Sequence, residues 1–139
     1  MQYKGKILRI IDANLNRTKE GLRVCEEIMR MIIEDKRITS ELKSIRHSIT
    51  RIAINSKLAD CNIENFRDSK GDVGKQIRIK REKNSVSNTF KANSQRVKEA
   101  LRVLEELSLI IDKKASYKFQ NQRFKFYDLE KKSLRKIRY

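Results

Sequence analysis

The chain has 139 residues, a length typical of one domain with a single hydrophobic core, and we expect one domain over residues 1–139. Lysine and arginine number 34 against 18 aspartate and glutamate residues, which gives a net charge of +16. Such a field attracts phosphate groups, whether in nucleic acid, a nucleotide or a phosphorylated metabolite. No apolar run approaches the ~20 residues that span a bilayer, and the start is unlike a signal peptide, so we expect a cytoplasmic protein without a membrane partner.

Soft metal ligands are scarce in this chain. Cys25 and Cys61 are its two cysteines, far apart in sequence, and His47 is its one histidine. A structural zinc site normally takes four cysteine or histidine ligands. The composition therefore excludes a structural zinc site, together with any mechanism that needs more than one imidazole.

Fifteen residues of the chain occur twice, because residues 13–27 return as residues 92–106 with ten of the fifteen positions identical. Seven of those ten identities are polar. Helices duplicated only to fill a core would repeat their apolar spacing and let the polar residues change. The repeat therefore predicts two related helices that present similar ionic groups to a shared site.

The first half of the chain has the apolar spacing of two helices. The first is predicted over about residues 12–35 with Asp12 as its N-cap, and the second extends from a cap at Thr39 to about residue 58. Periodicity is then lost over residues 60–84, which predicts a long central loop with a short extended piece at 76–79.

The second half repeats this organisation. A third helix is expected over about residues 87–111 and a fourth over about residues 116–135. The fold class is therefore predicted to be all-α: a duplicated helical hairpin, about 10–59 and about 85–137, that forms a four-helix bundle-like domain with internal pseudo-twofold symmetry.

Two repeated pairs of polar residues are the first candidates for a site. Asn14 with Arg17, and Asn93 with Arg96, are three residues apart, so each pair lies on one helix face beside the apolar stripe. Arginine makes bidentate contacts to phosphate, and asparagine can orient a heterocycle or a water molecule. The alternative is a polar network that only ties the two hairpins together. Gly21 on the same face leaves room for a close approach of backbone or ligand.

The acidic residues of the repeat interleave with lysine and arginine at helical spacing, and most are expected to form surface ion pairs. Glu27 and Glu106 fall nearest the Asn/Arg side of their helices. We keep these two as candidate magnesium ligands or as groups that orient an arginine.

The central loop holds a second cluster of candidates. Gly71 and Gly74 would let backbone N–H groups turn toward an anion, Asp68 and Asp72 could hold a hard cation, and Arg67 could clamp a phosphate. The spacing differs from that of a P-loop, in which four residues separate the glycines and Ser or Thr follows the lysine. The alternative is an ordinary polar turn.

One family combines these motifs in the same order over nearly the whole chain. The residues that carry the likeness are 11–17, 20–24, 26–27, 46–47, 67–68, 71–74, 92–93, 96, 99–106, 123 and 127–130. The chain thus resembles the monofunctional hydroxymethylpyrimidine-phosphate kinases of thiamine biosynthesis, a small domain often fused ahead of thiamine-phosphate synthase. Because no synthase barrel follows Tyr139, we expect the stand-alone form.

The resemblance implies ATP-dependent phosphorylation of 4-amino-5-hydroxymethyl-2-methylpyrimidine phosphate to its diphosphate, with ATP and the small phosphorylated pyrimidine as ligands. The acceptor phosphate is already mostly dianionic at neutral pH, so no strong general base is required. Under this interpretation the expected catalytic residues are Arg17, Arg96 and Asp72, and Mg²⁺ is held by Asp68 and Asp72. The residues expected to bind substrate or nucleotide are Asn14, Asn93, Arg46, Arg67, Gly71, Gly74 and Arg123.

Other functions stay open. One is a non-catalytic helical partner or regulatory domain associated with thiamine-phosphate synthase. Nucleic-acid binding is less favoured, because the basic residues are interleaved with acids and no recognition motif is present. The sequence leaves open which half of the repeat binds ATP, and whether the chain forms a homo-oligomer.

Overall fold

The computed structural model describes residues 2–59 and 85–137. Within these ranges the chain forms four α-helices: α1 (Lys4–Glu27), α2 (Lys36–Ile54), α3 (Val86–Ile111) and α4 (Lys113–Lys136). A π-helical turn, Ile28–Ile32, continues α1. The predicted all-α fold of two helical hairpins is confirmed. The predicted central loop at 60–84 lies outside the described residues.

The first hairpin departs from the predicted helix boundaries. α1 begins at Lys4, so Asp12 is a buried mid-helix residue and the prediction that it caps the helix is wrong. The early turns form because Ile7, Leu8 and Ile11 are buried at helical spacing, although no capping residue precedes them.

The cap of α2 also differs from the prediction. Asp35, not Thr39, is the N-cap, and its Oδ1 accepts a hydrogen bond of 2.9 Å from the backbone N–H of Ile38. Thr39 lies within the first turn and donates its hydroxyl to the Asp35 carbonyl at 2.6 Å. At the other end α2 stops at Ile54, earlier than the apolar spacing suggested.

In the second hairpin the two helices are capped by side chains that precede them directly. Ser85 accepts from the Asn88 N–H at 3.0 Å and starts α3 close to the predicted position. Asp112 accepts from the N–H groups of Lys114 and Ala115 at 3.0 and 3.3 Å, so α4 begins at Lys113 and not near residue 116.

Neighbouring helices are antiparallel around the bundle, in the spatial order α1, α3, α4, α2. Gly21 of α1 packs on Val97 of α3, whereas Cys25, one turn further along α1, contacts Ser94, which lies earlier in α3. Residues later in α1 therefore contact residues earlier in α3, which means that the two helices are antiparallel. The α1/α3 seam and the α2/α4 seam lie on opposite sides of the bundle.

The two hairpins differ in length at their turns. The repeat in α1 and α3 has an offset of 79 residues, but the equivalent N-caps Asp35 and Asp112 are separated by 77. The first hairpin therefore holds two additional residues before its second helix. The π-helical turn Ile28–Ile32 lies at this point, and so does Glu34 with a φ of 60°. The π-helical turn and the left-handed backbone at Glu34 accommodate these additional residues.

The core fills the space enclosed by the four helices. Its largest fully buried side chains include Phe90, Phe119 and Phe126, each of which removes enough apolar surface from water to stabilise the fold by about 2 kcal/mol. Each helix of the described ranges keeps a charged outer face, and none of them has the length and apolarity that crossing a lipid bilayer requires.

Candidate functional site

A cavity of about 660 Å³ lies along the seam between α1 and α3. Its lining consists of five pairs of repeat equivalents: Asn14 and Asn93, Arg17 and Arg96, Glu20 and Glu99, Gly21 and Ala100, Val24 and Val103. Because α1 and α3 are antiparallel copies of one helix, the pseudo-twofold axis passes through this seam. The cavity is thus built twice from nearly the same side chains.

The two asparagines have equivalent positions. Asn14 and Asn93 are buried, and each Nδ2 donates to the carbonyl four residues earlier in its own helix, at 2.8 Å to Ile10 and 2.9 Å to Thr89. A bond of this type fixes the amide at the wall of the cavity and orients its Oδ1. Each asparagine therefore presents a polar group in a defined orientation at the wall of the cavity.

The two arginines are exposed at the cavity. Arg96 donates from Nη1 to the Asn93 Oδ1 at 3.3 Å, whereas Arg17 makes no hydrogen bond or ion pair with any part of the chain that the structure describes. Both guanidinium groups keep donors available, and two guanidinium groups in the lining of one cavity suit a phosphate-bearing ligand.

Two carboxylates belong to the same lining. Glu20 and Glu99 lie one turn from Arg17 and Arg96, and Glu99 accepts a hydrogen bond of 3.0 Å from Gln95. Carboxylate oxygens are hard donors of the kind that Mg²⁺ takes. The lining therefore combines two cations for an anionic ligand with two groups that could face a metal ion or a ligand N–H.

Arg46 and Arg123, predicted to bind substrate or nucleotide, are not in the cavity lining. Arg46 pairs with the buried Glu26 at 3.3 Å, and Arg123 pairs with the buried Glu105 at 2.7 Å. These contacts join α1 to α2 and α3 to α4 at equivalent places. The hydrogen bond to Glu105 raises the pKa of Arg123 above its ordinary value.

The buried glutamates Glu26 and Glu105 were not singled out by the sequence, which favoured Glu27 and Glu106. In the structure Glu27 and Glu106 form surface ion pairs with arginines on their own helices. The signal was present, because on a helical projection with Asn14 at 0° Glu26 falls at about 120°, beside the apolar stripe, whereas Glu27 falls at about 220°.

The remaining predicted site residues, Arg67, Asp68, Gly71, Asp72 and Gly74, lie outside the described residues. Magnesium binding by the two aspartates stays a prediction. Within residues 2–59 and 85–137, no group of three or more His, Cys, Asp or Glu side chains is arranged to hold a metal ion.

Similar curated proteins include enzymes named thiamine-phosphate synthase. The protein from Synechocystis sp. is 36% identical over 126 residues, which cover 89% of this chain and 35% of that protein. The one from Nostoc punctiforme is 33% identical over 131 residues (93% and 36%), and the one from Rhodopirellula baltica is 34% identical over 123 residues (87% and 32%).

The chain spans about a third of the length of these relatives. No solved structure matches it significantly. The model of the ThiD2 family matches residues 9–132, nearly the whole of the described helices, and the chain therefore belongs to the ThiD2 family.

Proposed function

We propose that this chain acts in thiamine biosynthesis as a kinase that uses ATP to convert 4-amino-5-hydroxymethyl-2-methylpyrimidine phosphate to its diphosphate. The observation that carries the proposal is the duplicated cavity, in which Arg17 and Arg96 approach one space from two helices. A transfer between two phosphate-bearing molecules needs two anion-binding groups in one site, and the duplication supplies one from each copy.

The chemistry fits this set of side chains. An oxygen of the acceptor phosphate attacks the γ-phosphorus of ATP, and the bond from that phosphorus to the β–γ bridging oxygen breaks, so that ADP leaves. The acceptor is already a dianion, and no proton has to be removed from it. The barrier is the approach of two polyanions, which guanidinium groups lower by neutralising charge and by holding the reactants in line.

Magnesium is the cofactor that such a transfer normally uses, because it neutralises the β- and γ-phosphate oxygens when it is bound. Glu20 and Glu99 are the carboxylates of the described cavity that could contribute oxygen donors. The buried amides of Asn14 and Asn93 would orient the aminopyrimidine ring or the acceptor phosphate.

A second function has a specific observation in its favour. The curated relatives are named thiamine-phosphate synthase, and the similarity covers a third of their length. Those names support a helical domain associated with the synthase more directly than they support a kinase. In that case Asn14, Arg17 and their equivalents would bind no nucleotide and would contribute to the seam by packing, since the hydrogen bonds that Asn14, Asn93 and Arg96 make in the described residues stay within their own helices.

The deciding experiment mixes the purified full chain with ATP, Mg²⁺ and the pyrimidine monophosphate, and follows ADP release together with the phosphorus NMR signals of the diphosphate product. The kinase function predicts one diphosphate formed for each ADP released. Folded protein that gives no ADP above the enzyme-free rate would contradict it. The associated-domain function instead predicts that the chain binds purified thiamine-phosphate synthase and changes its kcat or KM.

A further inference from the structure

A groove extends the cavity along the first turns of α1. This groove of about 430 Å³ shares Asn14 and Arg17 with the cavity and continues along α1 toward the start of that helix. The groove is lined in addition by Lys6, Arg9, Ile10 and Ala13. Together with Arg17, it places three cationic side chains along about three turns of one helix face.

Within residues 2–59 and 85–137, the start of α3 does not repeat the cations of this groove. The positions in α3 that are equivalent to Lys6 and Arg9 by the repeat hold Ser85 and Asn88, neither of which is charged. On that side Arg96 is the cation of the lining. Within the described helices, the pseudo-twofold symmetry of the cavity is therefore broken in its charge, because Lys6 and Arg9 lie on the α1 side and uncharged residues hold their equivalent positions in α3.

We propose that the two halves of the cavity take different phosphate ligands: the α1 half binds the triphosphate of the nucleotide, and the α3 half binds the monophosphate of the pyrimidine. This assignment rests on the proposed kinase function, which requires both ligands in one cavity. A triphosphate is longer and carries more charge than a monophosphate. Among the described residues, it is the α1 half that offers a row of cations, Lys6, Arg9 and Arg17, long enough to follow it.

This assignment also places the two reacting phosphate groups relative to each other. The γ-phosphate of a nucleotide laid along this groove would end at Arg17, next to the pseudo-twofold axis, and the acceptor phosphate at Arg96 would face it from the other helix. The reacting groups would then meet at the seam, where the two arginines share the charge that is spread over the transferred group.

The test measures equilibrium binding by titration calorimetry in the presence of Mg²⁺, with a non-hydrolysable imido analogue of ATP and, separately, the pyrimidine monophosphate. Lys6→Ala/Arg9→Ala is expected to raise the Kd of the ATP analogue about tenfold and to leave that of the monophosphate within about twofold. Arg96→Ala is expected to have the opposite effect. Thermal melting verifies folding, and Lys6→Glu, at an exposed site, repeats the test with one substitution.

A matched control removes two cations elsewhere. Lys118→Ala/Lys125→Ala makes the same change of net charge in a groove at the α2/α4 seam, on the opposite side of the bundle, and should leave both affinities unchanged. Equal weakening by the control, reversed ligand preferences, or no binding of the ATP analogue to the unmodified chain would each overturn the assignment. Selective binding without ADP formation would support the assignment of the two halves while contradicting the kinase function.

Discussion

Gly21 of α1 lies so close to Val97 of α3 that a Cβ atom at Gly21 would be 2.7 Å from the Val97 Cγ2 and 3.1 Å from the Asn93 carbonyl oxygen. The glycine therefore sets the distance between the two repeated helices at the point where they cross. The same residue lines the cavity, so the packing of the seam and the shape of the candidate site both depend on glycine having no side chain at this position.

Substitution Gly21→Ala should destabilise the protein by about 1 kcal/mol. Alanine favours a helix interior by up to about 1 kcal/mol, but overpacking a filled seam costs about 1–3 kcal/mol, and Val97 is fully buried and stiff at χ1. Guanidinium chloride unfolding measures the difference.

The control for this substitution is a double-mutant cycle with Val97→Ala, which removes the atom that the new methyl group would meet. The loss in free energy of unfolding of the double variant should be about 1 kcal/mol smaller than the sum of the losses of the two single variants. A Gly21→Ala variant that is more stable than the unmodified chain would show that the seam has room to spare.

Glu105→Gln should lower the free energy of unfolding by about 3 kcal/mol. Glu105 and Arg123 form a buried ion pair, with 11% and 9% of their side chains exposed, and the substitution leaves the arginine charge buried without a counter-charge. Glu106→Gln is the matched control, since Glu106 pairs with Arg102 on the surface and its replacement should change stability by less than about 0.5 kcal/mol. Equal effects at the two positions would contradict a buried ion pair that braces α3 against α4.

Asp112 should make stability depend on pH in the acid range. The pKa of Asp112 is lowered, first by the hydrogen bond from the Lys57 backbone N–H and also by those from Ala115 and Lys114. A lowered pKa in the folded state means that the stabilisation is complete above the unfolded pKa, about 3.9, and is lost as the pH falls through the folded value.

Asp112→Ala should therefore reduce stability by about 1 kcal/mol at pH 7, the usual effect of losing an N-cap, and by less as the pH falls below about 4. Urea unfolding at a series of pH values measures this dependence. Asp128→Ala, which removes an exposed surface ion pair with Lys132, is the control and should have little effect at either pH. A difference that stays constant with pH would contradict the role of the charged carboxylate.

Cys25 should be almost unreactive in the folded protein. Burial raises the pKa of its thiol to about 12, and its Sγ lies against the Ser94 hydroxyl at 3.8 Å inside the α1/α3 seam. The reactive thiolate is therefore scarce at pH 8. In a Cys61→Ser background, a disulfide reagent should label Cys25 only at the rate of unfolding, and at once in denaturant. Rapid labelling of the native protein would mean that the seam opens readily.

The sequence predicted the architecture because its strongest signal was an internal repeat. The shared polar residues indicated two related helices with a common site, and the structure brings Asn14, Arg17, Asn93 and Arg96 into one cavity. Spacing alone could not find the start of α1, since no capping side chain precedes Lys4. Only tertiary packing of Ile7 and its neighbours makes those turns helical.

The roles of the second-helix arginines were beyond the sequence for a different reason. Arg46 and Arg123 have the same chemistry as Arg17 and Arg96. Helical spacing cannot distinguish an arginine that pairs with a buried glutamate from one that binds a phosphate. Arg46 and Arg123 are 77 residues apart, whereas the repeat has an offset of 79, which indicates a difference of two residues between the hairpins. The structure explains it by the π-helical turn and Glu34 in the first hairpin, which hold the two extra residues and keep both glutamate–arginine pairs in place.

Arg17→Ala and Arg96→Ala should separate a catalytic role from a structural one. Both guanidinium groups are exposed at the cavity and neither pairs with an acid within the described ranges, so each variant should melt within a few degrees of the unmodified chain. If the arginines neutralise phosphates during transfer, each substitution should lower kcat/KM by about a thousandfold. Arg102→Ala, on the outer face of α3, is the matched control and should keep full activity. Early melting with undiminished activity per folded molecule would instead make Arg17 and Arg96 structural links between the hairpins.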